Sequence, residues 1–193
     1  MEIVFATNNP HKLEEVRSAV NERYIIFGLK EKGINEEIPE NLDTLEGNAS
    51  EKAMFIYNKY GISCFADDTG LEVEALDNRP GVLSARFAGP QCYNEDNIDK
   101  LLGELKGIAN RKAVFRTVIA LVELGKLHIF EGSIEGSITH ERKGSGGFGY
   151  DAVFHPSGHD QTFAEMSMSE KNKVSHRALA VRKLIDFLDS YEL

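Results

Sequence analysis

Apolar and polar positions alternate along this chain with two different periods. Residues 2–6 form a short apolar run that Thr7-Asn8-Asn9-Pro10 breaks, and Leu13, Val16 and Val20 then recur at helical spacing. Asn9 before Pro10 predicts an N-cap followed by proline at the first helical position. Residues 24–29 predict a second strand, residues 49–60 an amphipathic helix, and residues 62–66 a short buried strand turned by Gly70. Leu71 to Leu76 alternates apolar and acidic residues, which predicts a half-exposed strand, and Asp77-Asn78-Arg79-Pro80-Gly81 predicts a turn. Asn94 is expected to cap a helix with Ile98, Leu101, Leu102 and Leu105 on its apolar face. Residues 113–124 carry the longest β pattern, with Gly125-Lys126 as a two-residue turn into residues 127–130 and a further strand over 134–138. A final helix is expected over 178–191. The chain therefore begins strand-helix-strand and turns antiparallel in its middle, an α/β order.

Charge narrows the function. Thirty-one acidic against 22 basic residues give a formal charge of -9, the wrong balance for a surface that neutralises a nucleic-acid backbone. A small anionic ligand remains compatible if basic residues gather locally or a divalent cation accompanies it. Cys64 and Cys92 are too few for a disulfide framework or a zinc site and are expected to be reduced thiols. No apolar run approaches membrane-spanning length, and Met1-Glu2 leads into a strand without a basic, apolar leader. A soluble, cytoplasmic protein with no membrane partner is expected.

Candidate chemistry centres on Asp67-Asp68-Thr69-Gly70. Neighbouring residues on an extended segment point to opposite sides, so one carboxylate can hold a metal ion while the other orients or deprotonates water. An Asx-turn is the alternative use of the same residues. Thr7, Asn8, the first-turn N–H groups and Lys12 meet at the positive end of a helix dipole, a cradle for phosphate. The acidic stretch 31–46 offers Glu36, Glu37, Glu40 and Asp43 as further ligands, and local pattern does not choose among them. Lys52 reads by default as a surface lysine. In Gly144-Ser145-Gly146-Gly147-Phe148-Gly149-Tyr150-Asp151, glycines beside two aromatics suit a flat ligand, with Phe148 and Tyr150 as stacking rings; the alternative folds those rings onto the core. Ser167 with Glu170 matches a capping box, ahead of a basic cluster of Lys171, Lys173, His176 and Arg177 that either holds an anion or faces solvent.

Taken in order, Thr7-x-Asn9-x-x-Lys12-x-x-Glu15, Ala66-Asp67-Asp68-Thr69-Gly70-Leu71, Phe148-Gly149-Tyr150-Asp151 and Ser175-His176-Arg177 resemble the inosine triphosphate pyrophosphatase family, the Ham1-like proteins. Asn8 stands where that family often has glycine, and Thr69 replaces a frequent serine. The resemblance implies one domain over residues 1–193, an elongated two-lobed α/β fold with a long central mixed sheet, helices flanking it and the active site in a cleft. It implies a homodimer, a divalent cation (magnesium or manganese), and hydrolysis of ITP, dITP and XTP to the monophosphate and pyrophosphate. By position it assigns phosphate binding to Thr7, Asn8, Asn9, Pro10, His11 and Lys12. It assigns the metal to Asp67, Asp68 and Glu40, with Asp68 also the general base. Lys52, Thr69 and Lys171 would contact phosphate or sugar, Phe148, Gly149, Tyr150 and Asp151 would form the base pocket, and His176 and Arg177 would read the purine edge. Two other readings are a hydrolase of modified pyrimidine or methylated nucleotides on the same scaffold, and a catalytically silent nucleotide-binding module.

Overall fold

In the computed structural model, which describes residues 1–190, the strands are β1 (Glu2–Phe5), β2 (Ile25–Gly28), β3 (Cys64–Val73), β4 (Arg79–Gly81), β5 (Lys112–Glu123), β6 (Lys126–Ile138) and β7 (Phe154–Pro156). The helices are α1 (Pro10–Ala19), α2 (Leu45–Tyr60), α3 (Asn94–Glu104), α4 (Met168–Val174) and α5 (His176–Ser190). Tyr191, the expected end of the last helix, lies outside the described residues. The strands hydrogen-bond in the order β2-β1-β3-β5-β6-β7, with β4 beside β3. Pairing is parallel at β2-β1-β3 and antiparallel at β3-β4 and β6-β7, so the sheet is mixed. No helix among the described residues is long and apolar enough to cross a membrane.

The chain divides into two compact units, and β3, β5 and β6 each give residues to both. The first comprises Met1–Asp68, Thr117–Gly132 and the segment from Ser175. Its core gathers Ile3 and Phe5 of β1, Val16 of α1, Phe65 of β3, Ile119 and Leu121 of β5, and Val181, Leu184 and Leu188 of α5. Phe5 and Phe65 stack at 4.5 Å across the β1-β3 register. The second comprises Thr69–Arg116 and Ser133–Val174, with Leu71, Ile98, Leu101, Phe115, Phe154 and Phe163 in its core.

Several boundaries differ from expectation. β3 does not end before the aspartates; it runs straight through Asp67, Asp68 and Gly70. Gly70 serves close approach rather than a turn, because a Cβ there would stand 2.8 Å from the Gly81 carbonyl oxygen of β4. β3 ends in a short 3-10 turn, Glu74–Leu76, so the expected separate strand over 71–76 is absent. The hairpin turn is Leu124-Gly125, both at positive φ (49° and 76°), not Gly125-Lys126; a type I′ turn asks this of its two central residues. β6 is one strand where two were expected, and it passes Gly132 because α5 lies against it: a Cβ at Gly132 would come within 2.2 Å of the His176 carbonyl oxygen. α2 starts four residues earlier than expected, at Leu45, capped by Thr44 accepting from Gly47 N–H at 3.0 Å. Asn94 is the first residue of α3 rather than its cap. Ser84–Arg86 forms a 3-10 turn.

Candidate active site

The loop before α1 is shaped by its own groups. Thr7 N–H donates to Phe5 O at 2.8 Å, Asn9 N–H to Thr7 Oγ1 at 3.2 Å, and Asn9 Oδ1 accepts from His11 N–H and Lys12 N–H at 3.0 and 3.3 Å. The first-turn amides expected to face phosphate are thus engaged by the cap. The groups here that could hold an anion are the Lys12 ammonium and the positive end of the helix dipole. Asn8 donates through Nδ2 to Glu36 O at 2.8 Å, tying the loop to the acidic stretch, and Pro10 and His11 are exposed.

Lys12 reaches inward to one side of β3, donating through Nζ to Asp67 Oδ1 at 2.8 Å. Arg177, on the first turn of α5, donates through Nε to Asp67 Oδ2 at 3.0 Å and pairs through Nη1 with Glu15. Glu15, Asp67 and Arg177 are all buried. Burial pushes the Asp67 carboxyl up, but the Lys12 and Arg177 cations override it and hold the group well below the usual carboxylate range. Burial lowers the Lys12 ammonium against the opposing pull of Asp67. Carboxylate and cation alternate here as a charge chain, Glu15–Arg177–Asp67–Lys12.

Asp68 serves the opposite side of the strand, as the pleat requires. Its Oδ2 accepts from Asn48 Nδ2 at 3.0 Å, and its Oδ1 lies 3.9 Å from Lys52 Nζ. Lys52 in turn donates to Glu40 Oε1 at 2.5 Å. Burial raises the Asp68 carboxyl above its ordinary value despite the nearby Lys52 and Lys12 charges. For Glu40 the balance is reversed, since burial pushes up but Lys52 holds it down. Lys52 is only 4 % exposed, which corrects its reading as a surface lysine. Of the acids in the 31–46 stretch, Glu40 is the one that pairs with Lys52, while Glu36 accepts from Lys59 and Tyr60 at 2.8 and 2.7 Å.

In the second unit, Asp151 Oδ2 accepts from Phe148 N–H at 2.8 Å and from Lys171 Nζ at 2.5 Å. Lys171 Nζ also stands 5.4 Å from the ring centres of both Phe148 and Phe163. Phe148 and Gly149 are half-buried, the latter at φ 61°. Tyr150 is not available as a stacking ring: it is buried in the core and donates its hydroxyl to Ser84 O at 2.8 Å. Thr69 follows Asp68 on β3 and is half-buried. The basic cluster is not a solvated face, because Lys171, His176 and Arg177 are buried and only Lys173 is exposed. The guanidinium expected at the purine edge is the one that pairs with Glu15 and Asp67.

Sequence reasoning missed Asn48 and left Glu15 without a role. Both carried a signal, since Asn48 precedes Lys52 by four positions on α2 and Glu15 follows Lys12 by three on α1, spacings that share a helix face.

Among the described residues, no three His, Cys, Asp or Glu side chains gather as a ready metal cluster. Magnesium needs less, one or two carboxylates with phosphate oxygens and waters completing its shell. Glu40 and Asp68 fit that requirement: one cation, Lys52, serves both, and the Glu40 charge adds to burial in raising Asp68. Asp67 fits less well, with Lys12 on one oxygen and Arg177 on the other.

The chain is similar to known proteins over nearly its whole length. A protein of Porphyromonas gingivalis named dITP/XTP pyrophosphatase is 57% identical over 187 residues, 96% of either chain. The structure of the Staphylococcus aureus Ham1 protein matches with a TM-score of 0.88 at 35% identity, covering 99% of this chain and 100% of that one. That of a HAM1 protein from Coxiella burnetii matches at 0.89 and 35%, covering 98% and 99%. The model of the Ham1 family spans residues 3–187 and so takes in the Lys12, Asp67-Asp68 and Arg177 constellation entire: the chain belongs to the Ham1 family.

Proposed function

We propose that this chain is a dITP/XTP pyrophosphatase, hydrolysing dITP, XTP and ITP between the α and β phosphates to release the nucleoside monophosphate and pyrophosphate. The observation that carries the reading is the 57% identity, over 96% of both chains, to a protein so named. The geometry supports it. Asp68, buried and with its carboxyl raised, is suited to accept a proton from the attacking water. Lys12, at the positive end of α1, exchanges its Asp67 partner for a phosphate oxygen and offsets charge on the leaving pyrophosphate. Asp67 stays ionised between Lys12 and Arg177 and holds Lys12 ready. Glu40 and Asp68 would hold a divalent cation, magnesium or manganese, which when bound polarises the attacked phosphate and lowers the pKa of water. Base recognition is assigned to Phe148, Gly149, Asp151 and Lys171, with Phe148 as the stacking ring, and to His176. Hypoxanthine and xanthine present an acceptor at position 6 where adenine presents a donor, so a buried donor is satisfied by the former alone.

The homodimer rests on the resemblance, and the cytoplasmic location with no nucleic-acid or membrane partner on the acidic charge balance and the lack of an apolar run of membrane-spanning length. Light scattering that finds only a species near the chain mass of 21.5 kDa would count against the dimer. The activity is tested by a panel of dITP, XTP, ITP, GTP and ATP with pyrophosphate and orthophosphate detected separately. Pyrophosphate from the first three, well above GTP and ATP, is the expected outcome. Orthophosphate as the product, or ATP turned over as fast as dITP, contradicts it.

A further inference from the structure

Asn48 sits on the first turns of α2 and is 1 % exposed. Its side-chain amide is shared between two structures. Oδ1 accepts from Leu42 N–H at 2.9 Å and Nδ2 donates to Leu42 O at 3.1 Å, so one side chain takes both backbone groups of a single loop residue. The second Nδ2 hydrogen goes to Asp68 Oδ2 at 3.0 Å. Both amide hydrogens and the carbonyl oxygen are therefore used. Leu42 lies two residues beyond Glu40. The loop that bears Glu40 is fixed to α2 on its other side as well, where Glu36 meets Lys59 and Tyr60, but that fastening touches no acid of β3. Asn48 joins the loop to Asp68 by hydrogen bonds, beside the Lys52 ammonium that pairs with Glu40 at 2.5 Å and stands 3.9 Å from Asp68 Oδ1.

From this geometry we infer that Asn48 is a positioning residue for the reaction, setting which oxygen of Asp68 faces the Lys52 side and holding the Glu40 loop at a fixed distance from it. The inference rests on the role proposed for Asp68. With Oδ2 held by an amide hydrogen, the carboxylate cannot turn about its Cβ–Cγ bond without giving up that bond, and Oδ1 stays toward Lys52. Without Asn48, two things loosen together: the rotation of the Asp68 carboxylate and the register of Glu40 against it. A neutral amide performs this task where an acid would not, because a carboxylate at position 48 would have no hydrogen to donate and would set a second negative charge against Asp68.

The test compares pyrophosphate release from dITP by wild type, Asn48→Ala, Asp68→Asn and the double variant. Asn48→Ala is expected to lower kcat by about 10- to 100-fold, the equivalent of one hydrogen bond to a charged group, with KM changed by less than about threefold. In the Asp68→Asn background the same substitution is expected to cost less than in wild type, since residues that act through one another are not additive, the remainder being the loosened Glu40 loop. A loss that repeats in full in that background, a loss confined to KM, or no loss overturns the inference. Asp68→Asn by itself reports on the role of Asp68: turnover near that of wild type, with Asn48 intact, removes that role and the inference with it. If Asn48→Ala does not fold, Asn48→Asp, isosteric and able to accept from Leu42 N–H but unable to donate to Asp68 and adding a negative charge beside it, is expected to lower kcat by at least as much and again to cost less in the Asp68→Asn background than in wild type.

Discussion

Arg177 Nε lies 3.0 Å from Asp67 Oδ2, and both side chains are almost wholly buried, at 3 % and 1 % exposure. The same guanidinium also meets the buried Glu15, so one cation answers two carboxylates that water does not reach. Removing it takes that cation from both carboxylates, Asp67 keeping Lys12 at 2.8 Å, and breaking a buried pair in this way costs about 3–5 kcal/mol. Arg177→Ala is therefore expected to lower the urea midpoint strongly and to reduce activity on dITP and ATP by the same factor. A variant of near wild-type stability that loses dITP activity but keeps its ATP activity would instead place Arg177 at the purine edge.

Divalent cations are expected to be needed for turnover but not for the fold. Lys52 offers Glu40 and Asp68 an opposite charge of its own, at 2.5 and 3.9 Å. Treatment with EDTA should stop pyrophosphate release, leave the near-ultraviolet circular dichroism unchanged, and be reversed by added magnesium. Turnover that persists in EDTA contradicts the assignment of Glu40 and Asp68.

The two thiols should differ sharply in reactivity. Cys64 is fully buried on β3, and burial pushes its thiol up from 9.0 to about 12, whereas Cys92 is exposed. One thiol per chain should react with a disulfide reagent in the native protein and two after unfolding. The raised value also makes a statement about stability. Between pH 9 and about 12 the unfolded chain has released the Cys64 proton while the folded chain keeps it. The contribution of Cys64 is thus complete below pH 9 and declines as the pH rises through that window. Two fast-reacting thiols in the native state would contradict the burial.

Local pattern was informative where a residue acts on its own neighbourhood. Asn9-Pro10 marked the start of α1, Ser167 and Glu170 marked a capping box that forms, with Glu170 N–H donating to Ser167 Oγ at 3.2 Å, and the alternation of Asp67 and Asp68 separated their partners. It failed where the reason for a residue lies elsewhere in the chain. Gly70 looked like a turn because Gly81 of β4, which needs its missing side chain, comes eleven residues later, and residues 127–130 and 134–138 read as two strands because α5, which packs on Gly132 between them, comes more than forty residues later. Lys52 looked like a surface lysine because the carboxylates that allow its burial lie on a distant loop and strand. Tyr150 and Phe148 are chemically similar rings two positions apart, and only the packing against Phe115 and the bond to Ser84 assign Tyr150 to the core.

The base role proposed for Asp68 turns on one substitution, Asp68→Asn, whose amide keeps the shape of the carboxylate but cannot take a proton. Pyrophosphate release from saturating dITP in the presence of magnesium should fall by about 10²- to 10⁴-fold, the usual worth of general-base assistance, while the melting temperature stays at or above that of wild type, since the raised Asp68 carboxyl is buried at a cost when ionised. Release from Asp68→Asn within a few-fold of wild type would contradict the account.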